Sequence, residues 1–195
     1  MIGEKTDRQE LLMKEYQNLR DEITQQIGLH NTLLSFTITC TIAVLSFVFA
    51  QDTILPFLFL LPFCIIIPMS MRIAYYRTNM AKLSAYLIVF IESEIPEINW
   101  ETRNKQAIQK IVKKDDRTKK QYTLLRYFEC LLLCIICYVL FAVFYIIQNS
   151  FSWITIINLI WPLLFVAFEC FVTKQMCSVH KEREKWMKIW KAQKE

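Results

Sequence analysis

Seven cations fall within seventeen residues: Lys110, Lys113, Lys114, Arg117, Lys119, Lys120 and Arg126, interrupted only by Asp115 and Asp116. Clustered Lys and Arg do one kind of chemistry well, which is to hold several phosphates at once. Two readings follow. Beside a membrane the cluster is drawn to anionic lipid headgroups, at about 1 kcal/mol per basic residue. Alternatively it binds a soluble polyanion, such as a nucleotide signal or an oligonucleotide. In a symmetric oligomer the cluster would repeat about the axis and close into a ring.

Other candidate positions carry weaker chemistry. Thr32, Ser35, Thr39, Ala43 and Ser46 form a stripe of small and hydroxyl side chains. In a membrane helix such a stripe is a close-packing seam or, in an oligomer, the lining of a narrow aqueous path. Cys130, Cys134 and Cys137 share one helical face, but thiolates are costly in an apolar medium, so they read as small apolar filler. Glu129 and Glu169 fall near the ends of apolar stretches, with Arg126 and Lys174 close in sequence, and are expected to form interfacial ion pairs. The two histidines, His30 and His180, stand in no metal-ligand spacing. There is no glycine-rich phosphate loop and no nucleophile elbow. The expectation is therefore no catalytic residue, no enzyme activity, no metal and no cofactor.

The elements that must position these residues follow from where charge is missing. The averages (54% hydrophobic, 21% charged) do not decide the class, but the segregation does. No Asp, Glu, Lys or Arg occurs from Asn31 to Gln51, from Thr53 to Met71, or from Cys130 to Phe168. A bilayer core about 30 Å thick takes roughly 20 apolar residues as a helix. The first two stretches fit one crossing each and the third fits two, turning at Gln148-Asn149-Ser150. With only two glycines, barrels and tight turns are disfavoured. The expected fold is all-α: an integral membrane protein of four transmembrane helices in two hairpins, with a helical cytoplasmic region. The expected organisation is an amphipathic helix over 1–30, hairpins over 31–72 and 127–173, a cytoplasmic segment carrying the basic cluster over 73–126, and a charged helix over 174–195.

All 23 Lys and Arg residues lie in 1–30, 72–126 or 174–195, and none in either hairpin turn. The positive-inside rule then places both termini and the middle segment in the cytoplasm of a cell whose inner (plasma) membrane holds the spans. The first 30 residues contain no short apolar core with a small-residue cleavage site, so the first span is expected to be retained. Within 1–30, Leu12, Tyr16, Leu19, Ile23 and Ile27 make an apolar stripe, for an oligomer's coiled coil or for packing on the chain's own cytoplasmic segment, with Gly28 loosening the join to span one. Pro62 and Pro68 are expected to kink span two. Asn99 is expected to cap a helix starting at Trp100, and Trp186 and Trp190 to seat the tail at the membrane surface.

The layout resembles small bacterial membrane effectors of anti-phage defence, in which a helix-rich membrane subunit is paired with a nucleotidyltransferase or another sensor. The residues carrying the resemblance are Leu11-Leu12-Met13-Lys14-Glu15-Tyr16 before span one, Met71-Arg72-Ile73-Ala74-Tyr75-Tyr76-Arg77 at the exit of span two, and Ser84-Ala85-Tyr86-Leu87-Ile88-Val89-Phe90-Ile91-Glu92 followed by Trp100-Glu101. The chain looks like SLATT-type effectors in its helix leading into paired spans, and departs from them in a second pair. It is also similar to the Hailong-type oligomeric effector controlled by DNA oligomers. The resemblance covers the layout of most of the chain and transfers no individual residue. It implies a homo-oligomeric, ligand-gated pore that depolarises the cell. A non-conducting scaffold recruiting a cytoplasmic partner explains the same helices, and a small transporter ranks below both, because the mid-span regions lack charge.

Overall fold

A computed structural model of the protein describes residues 2–95, 97–114, 128–149 and 152–194. Among these residues the chain is helical and contains no strand. The helices are α1 (Ile2–Phe49), α2 (Phe63–Tyr86), α3 (Trp100–Lys114), α4 (Glu129–Gln148), α5 (Trp153–Ile160), α6 (Leu163–Cys177) and α7 (Val179–Lys194). A 3₁₀ turn over Pro56–Leu60 precedes α2, and a π turn over Leu87–Ile91 follows it. Four helical stretches are long and apolar enough to cross a membrane: Asp7–Phe49, Pro56–Ile91, Glu129–Gln148 and Trp153–Met176.

Several boundaries differ from those the sequence led us to expect. Gly28 does not interrupt α1, which is one helix through the supposed join. A single glycine costs a helix only about 1 kcal/mol relative to alanine, too little to break one that is stabilised on both sides. Pro62 stands inside the second apolar stretch, at the break between the 3₁₀ turn and α2. It precedes the first residue of α2, where its missing N–H belongs to the set of donors left unpaired at any helix start. Pro162 stands likewise between α5 and α6, and both prolines are fully buried. Only Pro68 lies inside a helix. Helix α2 runs through Arg72 and Arg77 into the π turn without a break.

The chain divides into two compact units. The apolar unit comprises His30–Ala74 and Leu125–Met176. Its core contains Val48, Phe59, Phe63, Ile66, Cys134, Cys137 and Phe141. Rings interlock near the hairpin turns: Phe59 stacks on Phe144 at 5.1 Å and Phe141 on Tyr145 at 5.4 Å. The outer surface is apolar as well. Phe36, Ile42, Phe47, Ile136, Val143, Ile157, Leu164 and Phe171 are exposed. Helices apolar on all sides bury one side in protein and need hydrocarbon on the other. The backbone groups released at the turns find side chains. Tyr138 donates to the Leu159 carbonyl (3.1 Å), just before the break at Pro162, and Gln148 donates to the Ile54 carbonyl (2.7 Å).

The polar unit comprises Met1–Leu29, Tyr75–Leu124 and Cys177–Glu195, the segments that carry nearly all the charge. Ile23, Leu87, Ile91 and Ile95 form its core, flanked by Leu12, Tyr16, Leu19, Tyr86 and Phe90. The stripe of α1 thus packs on the chain's own Leu87–Ile95 segment, except for Ile27, which is exposed. The start of α3 is fixed by Glu92. Its carboxylate accepts the N–H groups of Glu101 (2.7 Å) and Thr102 (3.0 Å) and the Thr102 hydroxyl. A carboxylate on the free N–H groups of a helix start meets both their hydrogen-bonding need and the positive end of the dipole.

Candidate functional site: polar groups buried in the apolar unit

Within the apolar unit the residues that sequence reading singled out face in different directions. Ser35, Thr39, Ala43 and Ser46 are exposed along α1, as is Thr32. The fully buried hydroxyls of that helix are Thr37 and Thr41 instead. The Thr37 hydroxyl donates to the Leu33 carbonyl (2.7 Å), whereas the buried Thr41 oxygen has no hydrogen-bond partner. The outward stripe therefore adds nothing to packing within the chain. Cys130, Cys134 and Cys137 are buried and reduced, and among the described residues no group of His, Cys, Asp and Glu side chains has metal-binding geometry.

The two carboxylates at the span ends are not alike. Glu129 is exposed in the first turn of α4, where the helix dipole favours it. Arg126, its expected partner, lies outside the described residues. Glu169 is fully buried, and a hydroxyl stands where a cation was expected: Ser70 of α2 donates to its Oε2 at 2.7 Å. Helix geometry explains the difference. Lys174 is five residues on, well round the helix, whereas partners on one face stand three or four apart. The residue one turn on is Thr173, whose buried hydroxyl has no partner. Glu169 Oε1 also has none. An acidic residue between Phe168 and Cys170, three residues from the apolar Val172 and Val166, was the available signal, and it was read as an end rather than as an interior.

In the polar unit the basic cluster is only partly within view. Lys110 is exposed on α3, and Lys113 and Lys114 end that helix. Arg117, Lys119, Lys120 and Arg126 lie outside the described residues. Sequence reading missed three other cationic sites. Arg20 donates to Glu101 Oε1 (3.0 Å) and lies over the Trp100 ring at 4.3 Å, while Ser84 donates to Glu101 Oε2 (2.8 Å). Lys105 on α3 reaches the Met187 sulfur of α7 at 3.3 Å, and burial, followed by the positive charge of Arg183, lowers its pKa. Arg183 is itself buried, and desolvation depresses it in turn.

The tryptophans of the tail pack within the polar unit. Trp186 and Trp190 stack at 5.6 Å, Lys82 sits 5.0 Å over Trp186, and Trp190 meets the edges of Tyr86 and Phe90. Their half-buried rings are occupied by α2 and the π turn. Lys194 closes the arrangement. Its ammonium donates to Glu94 (2.8 Å), to Ser93 (2.7 Å) and to the Val89 carbonyl (3.3 Å). The bond from Lys194 holds the Glu94 carboxyl below the usual carboxylate range, and Arg8 at 3.4 Å adds to this.

Compared with family models, with curated proteins and with solved structures, the chain matches none. Its function must be read from its own residues.

Proposed function

We propose that the protein is a multi-pass membrane protein that assembles into a homo-oligomer and permeabilises the plasma membrane when an anionic cytoplasmic ligand binds it. The four apolar stretches span the bilayer as two hairpins. Both termini and 73–126 lie on the cytoplasmic side, where the positive-inside rule puts all the Lys and Arg residues. One observation carries the oligomer: Ser35, Thr39, Ala43 and Ser46 are exposed on α1 although they occupy a stretch that is otherwise apolar. In hydrocarbon a row of small and hydroxyl side chains gains nothing from lipid tails. It gains close van der Waals contact from the same row on another copy. A ring of such helices brings hydroxyls to the axis and supports a pore. The cluster Lys110, Lys113, Lys114, Arg117, Lys119, Lys120 and Arg126 supplies the ligand's counter-charge, the ligand being a nucleotide or oligonucleotide made or sensed by a partner such as a nucleotidyltransferase. To act as a gate, the ligand must bind the open and closed states unequally.

The test is purified protein in liposomes with an ion-flux readout, with and without an oligonucleotide. Ligand-dependent flux is expected, together with disulfide-linked oligomers from a Ser35→Cys or Ser46→Cys variant. Bilayers that stay sealed while the protein is inserted refute the pore and leave a non-conducting scaffold. Monomers only, under cross-linking, refute the assembly.

A further inference from the structure

We propose that Glu169 is a proton-binding site inside the helix bundle, taking up one proton that it shares with the Ser70 hydroxyl. Four observations bear on it. Glu169 is fully buried, and among the described residues it has no ion-pair partner. Its Oε1 has no hydrogen-bond partner. Ser70 lies within reach of two acceptors, Glu169 Oε2 at 2.7 Å and the Ile67 carbonyl at 2.9 Å, yet a serine hydroxyl has one proton to donate. Finally, Thr173, one turn further along α6, holds a second buried hydroxyl with no partner.

The shared proton defines two states. With Glu169 ionised, the Ser70 O–H points at Oε2. When a proton adds to Oε2, the new carboxylic acid donates to Ser70 Oγ, and the Ser70 O–H turns to the Ile67 carbonyl. The carboxylic acid and the Ser70 hydroxyl then each have an acceptor, and one proton has been gained from water. In the reverse direction the proton leaves and the hydroxyl turns back. Both states fit the same heavy-atom positions, so the switch needs a rotation about one bond and no repacking. A carboxyl with no cation beside it, in a bundle apolar on its outer surface, is unlike a structural ion pair, and ionisable groups at membrane depth belong to ion and proton pathways.

The other ionisable groups of the apolar unit include His30 on α1, which is buried and hydrogen-bonded to Asn31 (3.0 Å). From α4, Cys134 lies within electrostatic range of Glu169, with Cys130 and Cys137 behind it. From α2 the only hydroxyl bonded to it is Ser70, and Arg72 two residues on is exposed. On α6, Cys170 and Lys174 are exposed. From Asn31 to Gln51, α1 carries no ionisable side chain except the thiol of Cys40.

Dicyclohexylcarbodiimide tests this, because it enters hydrocarbon and forms a stable adduct only with a protonated carboxyl. Full-length protein in liposomes is treated across a pH series and the adduct located by mass spectrometry. Glu169 is expected to be modified. Its labelling should fall about tenfold per pH unit above the midpoint, as a one-proton site requires. Glu169→Gln should lose the adduct, Ser70→Ala should move the midpoint, and Cys170→Ala should leave it in place. A water-soluble carbodiimide should modify Glu129 instead. An inserted protein with no adduct at Glu169, or with one indifferent to pH, overturns the proposal. Labelling suppressed by sodium at fixed pH also overturns it, in favour of a cation site. The inference rests on the proposed membrane placement. A chain recovered without detergent refutes that placement, whereas an inserted chain failing the labelling test refutes the proton site alone.

Discussion

Replacing Arg20 by methionine isolates the buried charge of the polar unit. Methionine keeps most of the aliphatic stem and removes the guanidinium. Glu101 is then a carboxylate with a side-chain exposure of 5%, left with the Ser84 hydroxyl as its partner. Stripping one member from a buried pair costs about 3–5 kcal/mol. Arg20 retains 31% side-chain exposure, which screens the pair and places the effect at the lower end. The stacking on Trp100, worth about 0.5–1 kcal/mol, is lost with the same guanidinium and falls within that figure. A net cost of about 3 kcal/mol corresponds to roughly a hundredfold rise in local opening. Hydrogen exchange on the detergent-solubilised protein reads this directly, because the amides of α3 are held by Glu92 next to Glu101. The α3 and 84–95 peptides should exchange about a hundredfold faster, while α4 peptides stay unchanged. The double variant Arg20→Met/Glu101→Gln should recover part of the loss, since the buried Glu101 charge is gone while the buried Arg183 guanidinium keeps Glu184 as a neighbouring carboxylate. Exchange within a few fold of wild type in the single variant, or no recovery in the double, would refute the reasoning.

Three further outcomes are expected. Gly28→Ala should stabilise α1 by about 1 kcal/mol, because a Cβ there meets nothing within 4 Å; a higher thermal midpoint in detergent checks it, and a lower one would mean the position needs glycine. The Lys194 contact should be lost in acid. The folded Glu94 carboxyl is depressed below its ordinary value of 4.5, so the contact stabilises the fold above that pH and fades as pH falls through the folded value. Protease cleavage near Lys188 and Lys191 should therefore rise in acid for wild type and be high at all pH values for Lys194→Met. Thr39→Leu or Ser46→Leu should leave the monomer folded, the side chains being exposed, and should weaken cross-linked oligomer formation; unchanged assembly would remove the stripe from the interface.

What could be read from the chain was whatever charge alone dictates. The three uncharged stretches, Asn31 to Gln51, Thr53 to Met71 and Cys130 to Phe168, stood out because every Lys and Arg is excluded from them, and that exclusion does not depend on how helices pack. Facing was harder. Thr37 and Thr41 are buried while Thr39 and Ser46 are not, a choice made by neighbouring helices and invisible in a hydroxyl count. Glu169 was assigned a partner by distance along the chain, whereas the helix places Lys174 away from it and α2 brings Ser70, 99 residues distant, into contact. Asn99 does stand just before α3, its carbonyl accepting the Arg103 N–H, but the Glu92 carboxylate on the Glu101 and Thr102 N–H groups could not be read from the chain. Trp186 and Trp190 carry the composition of a membrane anchor. Only tertiary contact with Lys82, Tyr86 and Phe90 shows that they are spent on the chain itself.

The π turn at Leu87–Ile91 sets the phase of everything that follows it. Bonding each N–H five residues back, as Glu92 does to Leu87, inserts one residue relative to a regular helix and turns the chain beyond by about 100°. That extra rotation aims Glu92 at the first amides of α3. Losing a single residue here would restore an ordinary helix and still swing Glu92 off its target. A one-codon deletion in this stretch therefore carries a cost beyond the packing of the buried Leu87 and Ile91.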